Sequence, residues 1–440
     1  MKKFSKIMIQ FLSFLLVMTL SLNCALAAEA SAAEKTSIFD DVSLEWLFDL
    51  FKDEEETEPT VSEDGKTVTL SKSEYDRLMA LEAKYNELIQ IQEYVDEYYY
   101  TDVDDTKLMQ GAAAGLLAGL EDPYTFYYTP EAFAEMWEDD EGNYAGVGLL
   151  ITTSYVTGIC TITRVFEGSP SLEAGIRRGD ILNKVEDLDV NSTTINDAVN
   201  IMRGEVGKPV NIQVIRGDEL LDFVVTRAEI HTNWVSSCML DEEIGYISLY
   251  EFAGDCSQAF TTQVNELLQK GAKALVIDLR DNPGGWTEDA RAICDLFMGE
   301  GVVATLTYRD GSQEVMYTAN DDNEIDVPLV LMVNENSASS SEIMAGALQD
   351  RGRATLVGTQ TYGKGVVQWV LPVGDEGAGF QMTIAQYYTP SGNAVHKVGI
   401  TPDVIAEMPE EQTGTLFELG DLSDDQLRVA YEEAKTLLKK

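Results

Sequence analysis

A run of serines between two predicted elements is the first segment of this 440-residue sequence that could perform chemistry. Residues 334–342 read Asn-Glu-Asn-Ser-Ala-Ser-Ser-Ser-Glu and follow an apolar strand pattern that ends at Val333. A helix pattern begins at Ser340, so the serines lie in a strand-to-helix turn. Such a turn can hold a serine exposed, and the first helical turn offers free backbone N–H groups to a developing oxyanion. The alternative is that these serines only cap the helix.

A lysine between two glycines, in Gly363-Lys364-Gly365, is a candidate base. Lysine accepts protons poorly near its ordinary pKa of about 10.4. Burial in a glycine-walled pocket can lower that pKa toward the roughly 7–8 that base catalysis needs, and the amide of Gln368 could orient the amine. The alternative interpretation is a solvated loop lysine.

A glycine-containing loop, Asp281-Asn282-Pro283-Gly284-Gly285, follows another apolar run at 274–280. Its two glycines let the backbone approach a ligand and direct N–H groups toward it, although the loop could be a simple turn. The runs at 274–280 and 328–333 lack alternation, which is typical of strands buried on both faces. Helices are predicted over Thr287–Met298 and Ser340–Gln349. Because ligand sites lie beyond the carboxyl ends of such strands, both loops are expected at one site.

The overall composition excludes several functional classes. Seventy-six acidic residues against 31 basic ones give a formal net charge of −45, which opposes binding to nucleic acid or anionic lipid. Five cysteines without a Cys-x-x-Cys pair and only two histidines argue against a zinc site. With no nucleotide-binding loop visible, we expect neither metal nor cofactor. A serine nucleophile must therefore use His231, His396 or another base such as Lys364.

The first 27 residues have the pattern of an export signal. Lys2, Lys3 and Lys6 precede an apolar stretch over 7–22, and residues 25–27, Ala-Leu-Ala, provide the small residues of a signal-peptidase site. The alternative is an uncleaved anchor, although the apolar stretch is short for a membrane span. We predict an exported protein, extracellular or in the cell envelope, whose four remaining cysteines could pair or stay free.

The rest of the chain divides by pattern into five segments. A capping signal at Ser71 opens a long helix, in which Leu78, Leu81, Leu88 and Val95 follow coiled-coil spacing. This spacing suits either packing within its own domain or a homodimer contact. The predicted segments are an acidic linker at 28–70, a helical region at 71–139, a β-rich module at 140–229, an α/β core at 230–410 and a C-terminal tail or helix at 411–440.

Taken together, these motifs resemble the carboxyl-terminal processing, or tail-specific, proteases. The serine run, the glycine-flanked lysine with Gln368 and the Asn282-Pro283-Gly284-Gly285 loop carry the resemblance, together with a PDZ-like segment at 168–182 and family-like motifs at 120–124, 388–392 and 399–403. The resemblance extends from about residue 75 to 405. It implies a multidomain α/β fold with an inserted PDZ domain, formed by an N-terminal helical region, a β-rich PDZ module and an α/β protease core.

The resemblance also implies roles for individual residues. Ser339 would be the nucleophile of a Ser–Lys dyad, Lys364 its general base and Gln368 the residue that positions the lysine. Gly285 and Ser340 would donate backbone N–H groups to the oxyanion. The substrate's C-terminal carboxylate would be received by the PDZ loop formed by Gly146, Val147, Gly148 and Leu149.

Two positions depart from the family pattern. Ser340 stands where the family usually has Ala, which leaves three consecutive serines as possible nucleophiles. Glu186-Asp187-Leu188 replaces a turn that typically contains glycine, so that turn could be altered. Asp350 matches a family acid with a supporting role, or it forms a salt bridge.

The leading hypothesis is an exported serine endopeptidase that acts on proteins and peptides with exposed C-termini. The first alternative is a peptide-binding PDZ scaffold with an inert protease-like domain. The second is a Ser–His hydrolase that uses His231 or His396. Membrane association is expected only through the N-terminal segment, and a homodimer through the helix that begins after Ser71 is a further hypothesis.

Overall fold

The computed structural model describes residues 60–62, 66–141, 143–154, 157–320 and 325–439. The predicted export signal and most of the acidic linker lie outside these described residues. No helix in these ranges is both long enough and apolar enough to cross a membrane. The chain forms two compact units that divide after Val103.

The first unit contains a short hairpin and one long helix. Strands β1 (Thr60–Val61) and β2 (Val68–Thr69) pair antiparallel. Helix α1 (Lys72–Tyr98) begins where predicted, because the Ser71 hydroxyl accepts a hydrogen bond from the Glu74 N–H at 3.1 Å. None of the residues of α1 is buried in this unit.

The second unit opens with the rest of the helical region. Helix α2 (Asp105–Ala118) is capped by Asp104, and helix α3 (Pro130–Glu141) follows strand β3 (Phe126–Tyr128). The strand belongs to a sheet of the α/β core, since β3 pairs antiparallel with residues 379–381. Local pattern did not predict this long-range pairing.

The PDZ module is a six-stranded sheet with two helices. The order along the sheet is β10-β9-β7-β6-β5, with β8 paired to β7, while β4 and β11 form a separate antiparallel ribbon where the chain enters and leaves the module. Its elements are β4 (Asn143–Gly146), β5 (Leu149–Thr153), β6 (Cys160–Val165), α4 (Pro170–Ala174), β7 (Ile181–Val185), β8 (Leu188–Asp189), α5 (Ile195–Met202), β9 (Pro209–Arg216), β10 (Glu219–Thr226) and β11 (Ala228–His231).

The turn at Glu186 keeps its tight geometry without glycine. Glu186 adopts a left-handed backbone with φ of 49°, and β7 and β8 pair across the turn. The Glu186 carboxylate accepts hydrogen bonds from the backbone and side-chain amides of Asn211, both at 2.9 Å. These bonds compensate for the conformational cost that a non-glycine residue incurs there.

The α/β core has two sheets. The central sheet has the order β12-β13-β14-β17-β18-β21, parallel from β13 onward, and the second has the order β16-β15-β20-β19 with β3 on β20. Its elements are β12 (Val235–Met239), β13 (Ile244–Leu249), α6 (Cys256–Gln269), β14 (Ala274–Asp278), α7 (Thr287–Asp295), β15 (Gly301–Tyr308), β16 (Gln313–Ala319), β17 (Leu329–Val333), α8 (Ser340–Asp350), β18 (Ala354–Gly358), β19 (Val366–Val373), β20 (Ala378–Tyr388), β21 (Val404–Ile405) and α9 (Asp425–Leu437).

Burial explains the apolar runs of the core strands. Every residue of β13, β14 and β17 is buried. One face of the central sheet packs against α6, α7 and α8, and the other is covered by α9 through Leu427, Ala430 and Ala434. The C-terminal helix is therefore part of the core rather than an appended tail. The four described cysteines, at positions 160, 238, 256 and 294, are free thiols.

Candidate active site

The glycine loop and the serine loop lie against each other because β14 and β17 are neighbours in the central sheet. The Asn282 carbonyl accepts hydrogen bonds from the Ala338 N–H at 3.1 Å and the Ser341 hydroxyl at 3.0 Å. Gly284 has φ of 104°, and a Cβ there would lie 2.7 Å from the Ser339 Cβ. Only glycine fits this close approach to the serine loop, whereas the sequence predicts close approach to a ligand.

Ser339 differs from the other serines of its loop. Its φ of 54° and ψ of −116° are unfavourable for a residue with a side chain, and such strain is concentrated at functional sites. Ser337, Ser340 and Ser341 have no exposed surface, whereas Ser339 is 8% exposed. The three buried hydroxyls donate hydrogen bonds to backbone carbonyls of residues 279, 285 and 282 respectively. This geometry favours Ser339 over its neighbours as the nucleophile.

Two backbone amides beside Ser339 are suited to an oxyanion. Ser340 is the first residue of α8, where N–H groups have no partner within the helix. Gly285 has φ of 129°, and a Cβ there would lie 2.1 Å from the Phe252 carbonyl oxygen. Among the described residues, neither amide donates a hydrogen bond to a protein acceptor. Their predicted role in binding an oxyanion remains a prediction that this arrangement permits.

The buried side chain of Glu342 joins the serine and lysine segments. Its Oε2 accepts hydrogen bonds from the backbone N–H groups of Ser339 at 3.0 Å and Lys364 at 2.8 Å. Its Oε1 accepts hydrogen bonds from the Thr361 hydroxyl at 2.6 Å and the Gly363 N–H at 2.7 Å. Burial raises the pKa of Glu342, and these four bonds oppose the increase. One carboxylate thus fixes the backbone on which both members of the predicted dyad lie.

In the sequence, Glu342 is only the last residue of the serine motif and has no predicted role. The sequence does contain one signal for this residue. Glu342 lies three residues after Ser339 at the start of a helix, which is the spacing of a capping box, so a bond from the Ser339 N–H to Glu342 could have been predicted. The sequence does not show that the same carboxylate reaches across to the lysine loop.

The amine of Lys364 lies in a partly buried, aromatic environment. Its Nζ is 4.9 Å from the centroid of the Tyr124 ring. Burial lowers the pKa of Lys364 below its ordinary range, while the carboxylates of Asp122 and Glu342 oppose that decrease. A lowered pKa is the direction that a lysine base requires.

Gln368 and Asp350 have partners that sequence analysis did not anticipate. The Gln368 Nε2 donates a hydrogen bond to the Thr383 hydroxyl at 3.1 Å, so its predicted role in positioning Lys364 remains a prediction. Asp350 accepts a hydrogen bond from the Ser391 N–H at 2.8 Å and thereby holds the turn after β20. His231 lies in the PDZ ribbon and His396 borders the same cavity as Asp122, so the alternative of a Ser–His hydrolase stays a prediction.

The predicted carboxylate loop of the PDZ module connects β4 to β5. Gly146 ends β4, Val147 is buried and Leu149 begins β5, which is an edge strand of its sheet. Gly148 has φ of 82°, and a Cβ there would lie 2.3 Å from the Ser169 Cβ. An edge strand beside a glycine loop is the arrangement that accepts an added peptide strand.

Comparison with known proteins places this architecture in one family. Residues 243–406 match the model of Peptidase family S41, residues 147–226 match a PDZ domain and residues 47–132 match the N-terminal domain of the activating protease CtpB. The chain is 34% identical over 338 residues to the carboxy-terminal-processing protease of Bartonella bacilliformis, which covers 75% of this chain and 77% of that protein. The chain belongs to the S41 family of carboxyl-terminal processing serine proteases.

Other S41 relatives support the same assignment. The carboxy-terminal processing protease CtpA of Bacillus subtilis is 34% identical over 331 residues, or 75% of this chain and 70% of that protein. The solved structure of a photosystem II D1 C-terminal processing protease aligns with a TM-score of 0.50 at 26% identity, covering 79% of this chain and 91% of that one. A putative S41 protease from Bacteroides fragilis shares the fold at a TM-score of 0.54 and 14% identity, covering 77% and 93%. The predicted helical region, PDZ domain and S41 protease core are confirmed.

Proposed function

We propose that this S41 protein is an exported endopeptidase that uses Ser339 and Lys364 as a catalytic dyad and recognises substrates by their C-terminal ends. The observation that carries the proposal is the hydrogen-bonding of Glu342 to the backbone of both Ser339 and Lys364. Together with the strained backbone of Ser339 beside Gly285, it supports a nucleophile and a base held on one rigid frame.

The proposed reaction proceeds by acyl transfer. The Ser339 hydroxyl oxygen forms a bond to the substrate's carbonyl carbon while its proton moves to the neutral Lys364 amine. The amides of Gly285 and Ser340 stabilise the oxyanion. The peptide C–N bond then breaks as Lys364 returns the proton to the leaving amine. Water, deprotonated by Lys364, then attacks the acyl carbon, and the C–O bond to Ser339 breaks as Lys364 returns this proton to the serine oxygen, which releases the new carboxyl group.

Substrate selection would occur in the PDZ module. An extended C-terminus would pair with the edge strand β5, and the amides of the 146–149 loop would receive its carboxylate.

Export would depend on the signal at residues 1–27, with any membrane association confined to that segment. A homodimer through α1 is the remaining part of the proposal, since the apolar side chains of Leu78, Leu81 and Leu88 are exposed.

The test is cleavage of an unfolded protein with an apolar C-terminus by residues 28–440. We expect Ser339→Ala and Lys364→Ala to lower activity by at least roughly 10⁴-fold while both variants remain folded. Ser341→Ala is the matched control: it should lower the free energy of unfolding by about 1 kcal/mol through the lost hydrogen bond to the Asn282 carbonyl and keep its activity. Activity that survives Ser339→Ala would assign the nucleophile elsewhere. A folded wild type that binds C-terminal peptides but does not cleave would favour the scaffold alternative.

A further inference from the structure

The loop between α2 and β3 contacts the lysine segment at two points. The Tyr124 ring lies 4.9 Å from the Lys364 Nζ. Tyr124 also lies beside Tyr362, two residues before the lysine, and burial together with the interaction with the Tyr362 hydroxyl raises the pKa of Tyr124 to about 12. A residue of the helical region therefore forms one wall around the amine of the protease core.

Asp122, in the same loop, is held by a defined set of hydrogen bonds. Its carboxylate accepts hydrogen bonds from the Tyr124 N–H at 3.1 Å and the Thr125 hydroxyl at 2.6 Å. The Thr125 hydroxyl accepts a hydrogen bond from the Thr383 N–H at 3.0 Å. Burial alone would raise the pKa of Asp122, but its hydrogen bonds and the neighbouring Thr383 hydroxyl lower it. Asp122 is therefore ionised over the pH range in which a lysine base would work.

This set of hydrogen bonds leads to Gln368. The Thr383 hydroxyl that contacts Asp122 accepts a hydrogen bond from the Gln368 Nε2 at 3.1 Å. Asp122 also borders a cavity of about 430 Å³ that is lined in part by Tyr124, Val366 and His396. The residue expected to orient Lys364 is thus linked to a carboxylate whose charge acts on that lysine.

We propose that Asp122 and Tyr124 are positioning residues of the dyad, which hold the Lys364 amine and stabilise the ammonium that forms when it takes the proton of Ser339. This inference rests on the proposed function and deepens it. The negative face of the aromatic ring attracts an ammonium, and the nearby carboxylate does so more strongly. The active site is therefore complete only when the 122–125 segment, which carries both residues, is in place. The titratable groups that face Lys364, or act on it through Asp122, are Asp122, Tyr124, Glu342, Tyr362 and His396.

The deciding measurement is the pH dependence of kcat/KM for Asp122→Asn in the otherwise complete enzyme. Removal of the negative charge makes the ammonium of Lys364 less stable, so its pKa falls and the neutral base persists at lower pH. We expect the acid limb to move down by about one pH unit, with a lower kcat and an unchanged KM. Glu121→Gln, an exposed charge-matched change one residue away, should leave the limb in place.

Two further comparisons separate the positioning role from simple damage. Tyr124→Phe keeps the ring and should retain the wild-type limb, whereas Tyr124→Leu keeps apolar cover without the ring and should shift the limb downward. His396 also interacts with Asp122, so the limb could report the histidine instead of the lysine. In a His396→Gln background, Asp122→Asn should still move the acid limb downward. If cleavage depends on Ser339 but the acid limb of the kcat/KM profile does not move in Asp122→Asn or in Tyr124→Leu, this inference is wrong and the proposed function stands. A wild type without such cleavage overturns the proposed function as well.

Discussion

At the residue scale, the site depends on which side chains are buried as much as on which are reactive. Three serines of the loop donate hydrogen bonds to backbone carbonyls, and the fourth, Ser339, has a strained backbone beside two amides that have no protein acceptor among the described residues. Ser339 and Lys364 could be predicted as candidates from the sequence because their motifs together resemble one family, whereas each motif alone also fits a helix cap or a solvated loop. Glu342 could not, because its role depends on a lysine loop that folds back onto it.

Glu342→Gln tests the role of this buried carboxylate. A glutamine directs an N–H₂ group at two of the four donors that Glu342 now satisfies, in a position with no exposed surface. We expect the free energy of unfolding to fall by about 3 kcal/mol, and cleavage to fall by about 100-fold as the dyad loses alignment. Chemical denaturation and cleavage assays measure both. Glu335→Gln, an exposed glutamate on the same turn, is the control, and equal effects in the two variants would contradict the assignment.

At the element scale, local sequence patterns predicted individual helices and strands but not how they pair and pack. The capping of α1 at Ser71, the strands at 274–278 and 329–333 and helix α8 follow from periodicity and capping, and their ends differ from the predicted ones by only a few residues. The pairing of β3 with β20 and the packing of α9 on the central sheet were not predicted. Both join segments far apart in sequence, where local pattern carries no information about the partner.

Helix α1 gives a prediction that belongs to this scale. If Leu81 lies in a dimer seam, Leu81→Glu places a carboxylate in an apolar contact, at a cost of several kcal/mol, and the enzyme should sediment as a monomer. Met79→Glu is the matched control, because Met79 is equally exposed in its unit, 43% against 40%, but lies off the predicted seam. Leu81→Glu and Met79→Glu proteins that both sediment as dimers would exclude this seam as the contact.

At the scale of the whole molecule, recognition and cleavage are assigned to separate modules of one unit. The PDZ ribbon of β4 and β11 brings the chain from α3 into the carboxylate loop and returns it to the protease core. The net charge of −45 disfavours acidic partners, and the proposed function places substrate selection in local contacts at this loop. A change confined to the loop should therefore affect substrate capture and leave the chemistry intact.

Gly148→Ala makes that change, and Gly207→Ala is its control within the same module. Both glycines have nearly the same φ, 82° and 83°, so both alanines incur the left-handed backbone cost of about 1–2 kcal/mol. A Cβ at Gly148 would lie 2.3 Å from the Ser169 Cβ, whereas one at Gly207 meets nothing within 4 Å. Only Gly148→Ala must displace the loop whose amides would receive the carboxylate.

The expected result is a difference between two substrates. For a protein with an apolar C-terminus, Gly148→Ala should raise KM by about tenfold, equivalent to 1.4 kcal/mol, with kcat unchanged. A short internal peptide that does not need the PDZ module should be cleaved by Gly148→Ala and Gly207→Ala at the same rate. Equal KM values for the protein substrate in these two variants would show that the 146–149 loop does not receive the C-terminus. If kcat falls in Gly148→Ala but not in Gly207→Ala, the loop instead affects the dyad, because displacement of the 146–149 loop is the difference between the two variants.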